Sequence, residues 1–372
     1  MITVNGYVYE YKLETPLSIS FYTWYYRENV IVELKYKNFI GLGEAAPFKG
    51  ITGDDQKDVI RELKNLKQIE VDPIHSTLSD FHSILEKQCI KSTTLKAALD
   101  FAFHDLKGRV LKIPSYKFYR GSFREIPNSV TIFLQNSVES TVQEANRIMS
   151  KHPHLNTVKI KLKGDGDIER CSAVKNCFDK NVTYVLDANQ GFSKPDEAVK
   201  TLNEICCTLG NVMLIEEPCD KGDLDKLKYV KEHISNSLIF ADESAVDIND
   251  VKKIIQHNAA HGINIKLQKT AGIWPAKQIA NLCRKAGLKI MVGSMLDCYI
   301  ASAASIHFAV STENVILSDI DMDLDLQDHI VDKLEFVNGC RIPNSDYGLG
   351  VELDSLKLNN LIKSGVIKYS EV

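Results

Sequence analysis

Short apolar runs recur along the last two thirds of the chain at a nearly constant interval. Eight of them begin at residues 129, 157, 182, 212, 237, 262, 288 and 314, so neighbouring starts lie 25 to 30 residues apart. Runs such as VTYVLD and VMLIEE are short and rich in aliphatic and β-branched residues, which is typical of buried strands. This spacing leaves room for one strand and one helix in every repeat.

The segments between these runs have the apolar spacing of amphipathic helices, as in DVKKIIQHN (250–258) and PAKQIANLCRKAG (275–287). Strands that alternate with helices predict a parallel sheet. Eight near-equal units favour a (β/α) barrel of the TIM type over residues 125–338, irregular in its last units. An open doubly wound sheet is the alternative. It offers no reason for eight near-equal units, and the G-x-G-x-x-G dinucleotide fingerprint is absent.

Before residue 125 the pattern is different. VYEYKL (8–13) and NVIVELKY (29–36) alternate like antiparallel strands, and helical patterns follow at 59–66 and 95–111. Residues 1–124 are therefore predicted to form a separate α+β domain.

Composition excludes several classes of partner. The chain is 44% hydrophobic with a formal net charge of −4 and no long basic run, so a nucleic-acid partner is not expected. No apolar stretch approaches membrane-spanning length and no secretory signal pattern is present, so no membrane partner is expected. The nine cysteines are odd in number and form no C-x-x-C pair, which favours reduced thiols in the cytoplasm.

Charged residues stand at the carboxyl ends of consecutive predicted strands, where barrel enzymes place their active sites. They are Lys159, Lys161, Asp187, Glu216, Asp242, Lys266, Asp319 and Asp321. Asp187, Glu216 and Asp242 follow one another on adjacent strands without a Cys or His ligand. An all-carboxylate set of this kind favours Mg²⁺.

Lys161 and Lys266 lie on strands that flank these carboxylates, so they would face a metal-bound substrate from opposite sides. A lysine acts as a base only when it is neutral, and burial or a neighbouring cation such as Lys159 lowers its pKa. The pair suits removal of a proton next to a carboxylate, through an enediolate that cations stabilise, and its return from the other face. The pattern therefore predicts epimerisation.

These residues resemble the enolase superfamily, muconate-lactonizing subgroup, and within it the dipeptide epimerases of the L-Ala-D/L-Glu type. The resemblance covers nearly the whole chain, and its order and spacing are specific. It is carried by ITGD (51–54), VKIK (158–161), DANQG (187–191), IEEP (215–218), ADES (241–244), INIKLQKTAGI (263–273), MVGSM (291–295) and DID (319–321).

The resemblance implies a modified barrel under a capping domain that residues 1–124 form and a C-terminal segment, 339–372, completes. It implies that the carboxylate triad binds the metal, that Lys161 and Lys266 are the acid/base pair, and that Lys159 is the first lysine of the K-x-K motif. Asp319 and Asp321 match the D-x-D motif that holds the substrate's α-ammonium. Asp323 and Asp325 continue the alternation, so the motif could also be Asp321 with Asp323. A homo-oligomer is a further implication.

Substrate specificity is where the chain departs from this pattern. Tyr22 stands where Ala-Glu epimerases carry an arginine for the substrate's side-chain carboxylate, although Arg27 could replace it if the loop is shifted. Tyr22, Trp24 and their aromatic neighbours favour a hydrophobic or cationic second residue over an acidic one. Further candidate substrate contacts are Thr52, Thr131 and Met295. Glu217 and Glu243 directly follow metal ligands and are expected to point away from the metal site.

The sequence thus predicts a Mg²⁺-dependent dipeptide epimerase, an isomerase that inverts the α-carbon of the C-terminal residue by 1,1-proton transfer. The alternatives are o-succinylbenzoate synthase or muconate cycloisomerase of the same superfamily, and a catalytically silent barrel that only binds a ligand. The synthase and the cycloisomerase act on substrates without a free ammonium group, so the D-x-D motif argues against them. Retention of the triad and of both lysines argues against the silent barrel.

Overall fold

The computed structural model describes residues 2–19, 22–178, 181–326, 330–332, 334–354 and 366–368. The N-terminal region forms an antiparallel sheet in the order β15, β1, β2, β3, with the bounds β1 (Thr3–Ile19), β2 (Tyr22–Tyr36), β3 (Phe39–Ala45) and β15 (Val366–Lys368). The two predicted antiparallel strands are thereby confirmed. Strand β15 joins this sheet through β1, whereas 355–365 and 369–372 of the predicted C-terminal segment lie outside the described residues. The division of the chain at residues 124 and 338 stays a prediction.

Three helices and one 3₁₀ turn complete this region: α1 (Gln56–Lys64), α2 (Leu78–Lys87), α3 (Thr93–Leu111) and the turn Ser115–Tyr119. Helix α3 is buried almost all round because it lies between the sheet and the barrel. Gly41 and Gly43 of β3 permit this close packing, since a Cβ atom at either position would overlap the backbone of α3 at Ala102 or Ala98.

The predicted barrel is confirmed. Eight parallel strands follow one another in chain order, and a hydrogen bond of 2.8 Å from Ser129 N to Ser318 O joins the first strand region to the last. The strands are β5 (Val130–Ile132), β6 (Thr157–Lys161), β7 (Thr183–Asp187), β8 (Val212–Glu216), β9 (Leu238–Ala241), β10 (Gly262–Lys266), β11 (Lys289–Gly293) and β12 (Val315–Asp319).

The outer layer consists of the helices α4 (Val138–Lys151), α5 (Asp167–Lys175), α6 (Pro195–Leu209), α7 (Leu224–His233), α8 (Ile248–His257), α9 (Ile273–Lys285) and α10 (Tyr299–Val310). Within the described residues no helix follows β12. A small sheet of β4 (Ile126–Pro127), β13 (Phe336–Val337) and β14 (Cys340–Arg341) lies there instead, so the barrel is modified at its last unit. None of the described helices is long and apolar enough to cross a membrane.

The barrel interior explains why charges collect at the strand ends. Alternate residues of a strand point to the same side, so inward positions recur every two residues. A buried apolar layer fills the interior with Val185, Leu214, Phe240, Met291 and Leu317. Two residues further along the chain stand Asp187, Glu216, Asp242 and Asp319, which form a polar layer above it, and Gly293 occupies the matching position of β11.

The cap is fixed to the barrel by a buried carboxylate. Glu44 of β3 accepts hydrogen bonds from Cys298 N at 2.7 Å and Ala301 N at 3.1 Å, at the start of α10. Asn29 of β2 donates to the same carboxylate at 2.7 Å. An anion at a helix N-terminus satisfies free N–H groups and complements the helix dipole. This contact holds the cap over the carboxyl ends of the strands.

Candidate active site

Three buried carboxylates form the centre of the site. Asp187 and Glu216 end β7 and β8, and Asp242 directly follows β9. One oxygen of each lies within 4.8 Å of the others. Three clustered oxygen ligands without sulfur or nitrogen suit a hard cation such as Mg²⁺, which needs only a few protein carboxylates because water and substrate oxygens complete its shell. The residues present therefore fit the predicted metal.

The electrostatics of these carboxylates depend on the cations around them. Burial raises the pKa of Glu216 to about 7, with further contributions from the neighbouring carboxylates. Burial also opposes ionisation of Asp187, but the ammonium groups of Lys159 and Lys161 outweigh it and lower its pKa to about 2. Such a cluster of negative charge, shielded from water, is stable only beside positive charge.

Lys161 and Lys266 lie on opposite sides of the triad, as predicted. Lys161 Nζ is 2.6 Å from Asp187 Oδ2, and Lys266 Nζ is 2.7 Å from Asp242 Oδ2. The pKa of Lys266 is shifted in both directions by its surroundings. Burial and Lys159 do lower its pKa, but the carboxylate of Asp242 outweighs them and the net pKa lies above the usual range.

Lys159 lies between the triad and the last strand. Its Nζ is 2.9 Å from Asp187 Oδ2, 3.0 Å from Glu216 Oε1 and 2.6 Å from Asp319 Oδ2. The side chain is almost fully buried, and these carboxylates hold its pKa well above the usual range although burial opposes this. Lys159 is therefore a fixed positive charge at the centre of the site.

Further residues position the triad, and one of them, Asn264, escaped the sequence analysis. Asn264, two residues before Lys266 on β10, donates to Glu216 Oε2 at 3.0 Å. Lys269 contacts Asp242 Oδ1 at 2.5 Å. The prediction for Glu217 agrees with its contacts, because its carboxylate accepts hydrogen bonds from Asp242 N at 2.7 Å and Ser244 N at 3.0 Å.

The expectation that Glu243 points away is wrong. Its side chain lines the cavity above the triad and accepts a hydrogen bond of 3.1 Å from Asn189 Nδ2. Strand β9 ends at Ala241, so the alternation of a strand no longer applies at residue 243. Burial, together with the negative charges of Asp242 and Glu217, raises the pKa of Glu243 to about 8.

The run of alternating aspartates after β12 divides into two pairs. Asp319 and Asp321 line the same cavity as the lysines, and Asp321 Oδ2 accepts a hydrogen bond from Thr131 N at 2.8 Å. Asp323 instead pairs with the buried Arg341 at 2.5 Å, and the more exposed Asp325 pairs with Arg147 at 2.9 Å. Of the two registers left open by the sequence, the geometry favours Asp319 with Asp321.

The cap supplies an apolar roof. Trp24 of β2 lines the cavity together with Met295 from the loop after β11, and the Trp24 ring packs edge-on against Phe48 with centroids 4.7 Å apart. Tyr22 packs against Trp24 at 5.0 Å but is half exposed and is not among the lining residues. Thr52 does not line the cavity either. Its hydroxyl donates to Phe48 O at 2.9 Å and stabilises the turn that carries Phe48.

Arg27 does not replace the missing arginine of Ala-Glu epimerases. Its guanidinium is almost fully buried beneath the cap and donates to Asp297 O at 2.9 Å and Met322 O at 2.5 Å. It is absent from the lining of the cavity. Its hydrogen bonds therefore connect the cap to the loops after β11 and β12. No arginine stands among the described residues that line the cavity.

Comparison with known proteins agrees with this geometry. Residues 1–118 match the family model of the mandelate racemase/muconate lactonizing enzyme N-terminal domain, and residues 140–357 match that of the enolase C-terminal domain-like fold. A hydrophobic dipeptide epimerase of Enterococcus faecalis is 28% identical over 321 residues, covering 85% of this chain and 88% of the relative. An L-Ala-D/L-Glu epimerase of Clostridium acetobutylicum is 30% identical over 321 residues, covering 84% and 87%.

Solved structures give the same result. An N-succinyl Arg/Lys racemase from Bacillus cereus superposes with a TM-score of 0.90 at 25% identity, covering 98% of this chain and 99% of that chain. A dipeptide epimerase from Enterococcus faecalis, complexed with Mg and the dipeptide L-Leu-L-Tyr, superposes with a TM-score of 0.86 at 27% identity, covering 94% and 98%. The chain thus belongs to the mandelate racemase/muconate lactonizing enzyme family of the enolase superfamily.

Proposed function

We propose that this protein is a Mg²⁺-dependent dipeptide epimerase, an isomerase that inverts the α-carbon of the C-terminal residue. The observation that carries the proposal is one cavity that contains both a pair of lysines on opposite sides of a carboxylate triad and a pair of aspartates. The lysines suit proton exchange on two faces of a carbon, and the aspartates suit a free amino group. A dipeptide offers both features within one small molecule.

Asp187, Glu216 and Asp242 would hold the metal. When bound, Mg²⁺ supplies positive charge that binds the substrate carboxylate and offsets the negative charge that develops when the α-proton leaves. Lys159 adds a fixed positive charge beside it. Asn264 and Lys269 keep Glu216 and Asp242 in place, which pre-organises the carboxylates before the substrate arrives.

Lys161 and Lys266 perform the proton transfer. The neutral lysine takes the α-proton onto Nζ and becomes an ammonium, while the lysine on the other face, already an ammonium, gives one proton to the same carbon and becomes neutral. No net proton is consumed, and the configuration is inverted. With the opposite diastereomer the two lysines exchange roles.

Asp319 and Asp321 bind the substrate's α-ammonium in this proposal. Asp319 Oδ1 is buried and has no hydrogen-bond partner among the described residues, so it can accept one from a ligand. Charge-assisted hydrogen bonds from an ammonium to carboxylates are strong where water is excluded. A substrate with a free amino group can therefore bind in the cavity that also contains the two lysines.

The side chain on the reacting carbon faces the cap. The cavity lining there is apolar and includes Ile19, Trp24, Phe48, Ile51 and Met295. The cations among the described lining residues are the three lysines of the catalytic layer, so an acidic side chain would find no separate partner. A hydrophobic second residue fits this lining best, and the relative from Enterococcus faecalis is named for hydrophobic dipeptides.

Racemisation of an N-succinyl amino acid is the second candidate, because the racemase from Bacillus cereus superposes over nearly the whole chain. Its substrate carries an acyl carboxylate in place of the ammonium. Asp319 and Asp321 would repel that carboxylate, and the same residues argue against a synthase or cycloisomerase without an amine. We therefore rank dipeptide epimerisation first.

The enzyme is further proposed to be cytoplasmic and to form a homo-oligomer. All nine cysteines are free thiols in the structure, which supports a reducing compartment. The oligomer rests on the resemblance to subgroup members alone.

The test incubates the purified protein with Mg²⁺ and pooled L,L-dipeptides in D₂O. We expect a gain of one mass unit and a new diastereomer for dipeptides with hydrophobic second residues. Exchange confined to N-succinyl amino acids would favour the second candidate. Lys163→Ala is the control for Lys161→Ala, because Lys163 is exposed and lies just beyond the end of β6.

A further inference from the structure

A turn of the cap carries two of the apolar residues that line the catalytic cavity. This roof turn, residues 48–52, contributes Phe48 and Ile51 to the lining. It is closed by hydrogen bonds from Ile51 N and Thr52 N to Phe48 O, at 2.9 and 2.8 Å. The ring of Phe48 also packs against Trp24, so a displacement of the turn disturbs the rest of the apolar roof.

The roof turn is fixed by a buried carboxylate that lies outside the cavity. In addition to its bond with Phe48 O, the Thr52 hydroxyl accepts a hydrogen bond from Phe48 N at 3.0 Å and lies 2.5 Å from Asp54 Oδ1. Asp54 is 5% exposed and is absent from the described lining of the cavity. A hydrogen bond to an ionised acceptor is stronger than one to a neutral carbonyl, so Asp54 holds the hydroxyl of Thr52 in place.

The second oxygen of the same carboxylate binds the start of helix α3. Asp54 Oδ2 accepts hydrogen bonds from the Ser92 hydroxyl, from Thr94 Oγ1 at 2.7 Å and from Thr94 N at 3.3 Å. Helix α3 begins at Thr93, where free N–H groups and the helix dipole favour a negative charge. The carboxylate of Asp54 therefore connects the roof turn to the N-terminus of α3.

Helix α3 is itself fixed to the barrel close to a catalytic lysine. Asp100 Oδ1 accepts a hydrogen bond of 2.6 Å from Ile273 N, at the first residue of α9. The loop 267–272 separates Lys266 from α9, so α3 is attached to the part of the barrel that holds this lysine. A continuous series of contacts thus runs from the roof turn through Asp54 and α3 to the loop after β10.

We propose that Asp54 is a positioning residue that sets the distance between the roof turn and the catalytic lysines, and that it thereby determines which side chains fit on the reacting carbon. It acts through Thr52 on Phe48 and Ile51. This inference rests on the proposed function and adds to it a determinant of specificity outside the cavity. Selectivity among apolar side chains needs close contact, because a gap of roughly 0.5–1 Å already forfeits about a quarter to a half of the dispersion attraction.

The test measures kcat/KM for L-Ala-L-Leu and L-Ala-L-Ala by α-proton exchange in D₂O. In Asp54→Asn the ratio of the first value to the second should fall about fivefold, because the larger side chain loses its contact with the roof. The value of kcat for L-Ala-L-Ala should change little. Asp55→Asn is the matched control, since it is the same change at the next residue and Asn also caps the start of α1. This control should leave the ratio unchanged.

Substitutions of Thr52 test the route by which Asp54 acts. Thr52→Val removes the hydroxyl at nearly constant volume and should lower the ratio as Asp54→Asn does, whereas Thr52→Ser keeps the hydroxyl and should preserve the ratio. The double variant Asp54→Asn/Thr52→Val should lose no more than either single variant, because both remove the same hydrogen bond. If Asp54→Asn folds poorly, Thr52→Val provides the same comparison, since a ratio of two substrates does not depend on the fraction of folded enzyme.

An unchanged ratio in either Asp54→Asn or Thr52→Val would overturn the proposal, and a lowered melting temperature beside it would assign Asp54 to folding alone. An equal fall of the ratio in Asp55→Asn would also overturn it. Failure of the proposed function gives a different result, since then neither dipeptide exchanges in the unsubstituted enzyme, which would overturn both proposals.

Discussion

The floor and the roof of the substrate cavity are built from different kinds of structure. The floor consists of charged side chains on barrel strands, each held by an ion pair or hydrogen bond with its neighbours. The roof consists of apolar side chains on a β-hairpin and a turn of the cap, which pack through ring contacts. The difference indicates that the floor determines the reaction and the position of the amino group, whereas the roof selects the side chain on the reacting carbon. Chemistry needs charges fixed by a rigid scaffold, and side-chain selectivity needs shape.

The largest effect is expected in the floor. Lys161→Ala and Lys266→Ala should each lower kcat for epimerisation by about 10³-fold, as loss of a general acid or base does. Lys163→Ala should stay within about twofold of the unsubstituted enzyme, because most surface substitutions are nearly neutral. The measurement is the rate of diastereomer formation by chromatography. A comparable loss of kcat in Lys163→Ala would contradict a specific catalytic role for Lys161 and Lys266.

The aspartates after β12 allow a buried ion pair to be compared with a half-exposed one within a single segment. Asp323→Asn leaves the buried Arg341 unpaired and should lower the free energy of unfolding by about 3–5 kcal/mol. Asp325→Asn removes a half-exposed pair and should cost about 1 kcal/mol or less. Urea unfolding measures both values. A larger loss of unfolding free energy for Asp325→Asn than for Asp323→Asn would contradict the distinction between a buried and a half-exposed ion pair.

Asp321→Asn should weaken binding of the ammonium. We expect kcat/KM for a free-amine dipeptide to fall roughly 100-fold, because a charge-assisted hydrogen bond is lost at a buried site. The N-acetylated dipeptide, which carries no ammonium, provides the comparison and should be nearly unaffected by the substitution. Equal losses for both compounds would mean that Asp321 acts on structure and not on the amine.

The smallest effect on catalysis is expected in the roof. Trp24→Ala should lower kcat/KM about 10-fold for dipeptides with a hydrophobic second residue, through lost apolar contact. It should leave kcat/KM for a small second residue such as alanine less affected. Tyr25→Ala is the matched control, because Tyr25 is 59% exposed on the same hairpin. A uniform loss for all second residues would assign Trp24 to the packing of the cap.

Prediction from the sequence succeeded where regular structure fixes the direction of side chains. All eight barrel strands were located, since each run is short, apolar and regularly spaced. Their place at the carboxyl ends of consecutive strands then identified Asp187, Glu216 and Lys266 as neighbours at one end of the barrel. Asn264 points to the same side of β10 as Lys266 but was overlooked, because the search considered charged residues alone. The signal was present two residues before Lys266.

Prediction was less successful where a strand ends. Glu243 follows the last residue of β9, and its direction depends on the turn. Thr52 belongs to the ITGD motif, yet its hydroxyl hydrogen-bonds with the backbone of Phe48 and stabilises the turn there. The position of Arg27 beneath the cap depends on contacts with Asp297 and Met322, which are about 270 and 295 residues distant in the chain. Contacts between residues so far apart in the chain cannot be predicted from the local sequence around Arg27.

The most direct test of the central claim follows α-proton exchange of L-Leu-L-Leu and L-Leu-D-Leu in D₂O by NMR. The measurement compares the unsubstituted enzyme with Lys161→Ala and Lys266→Ala. We predict that the unsubstituted enzyme exchanges and inverts both diastereomers, while each variant exchanges only one of them, a different one in each case, without inversion. Exchange of both diastereomers by a single-lysine variant, or of neither by the unsubstituted enzyme, would contradict the account.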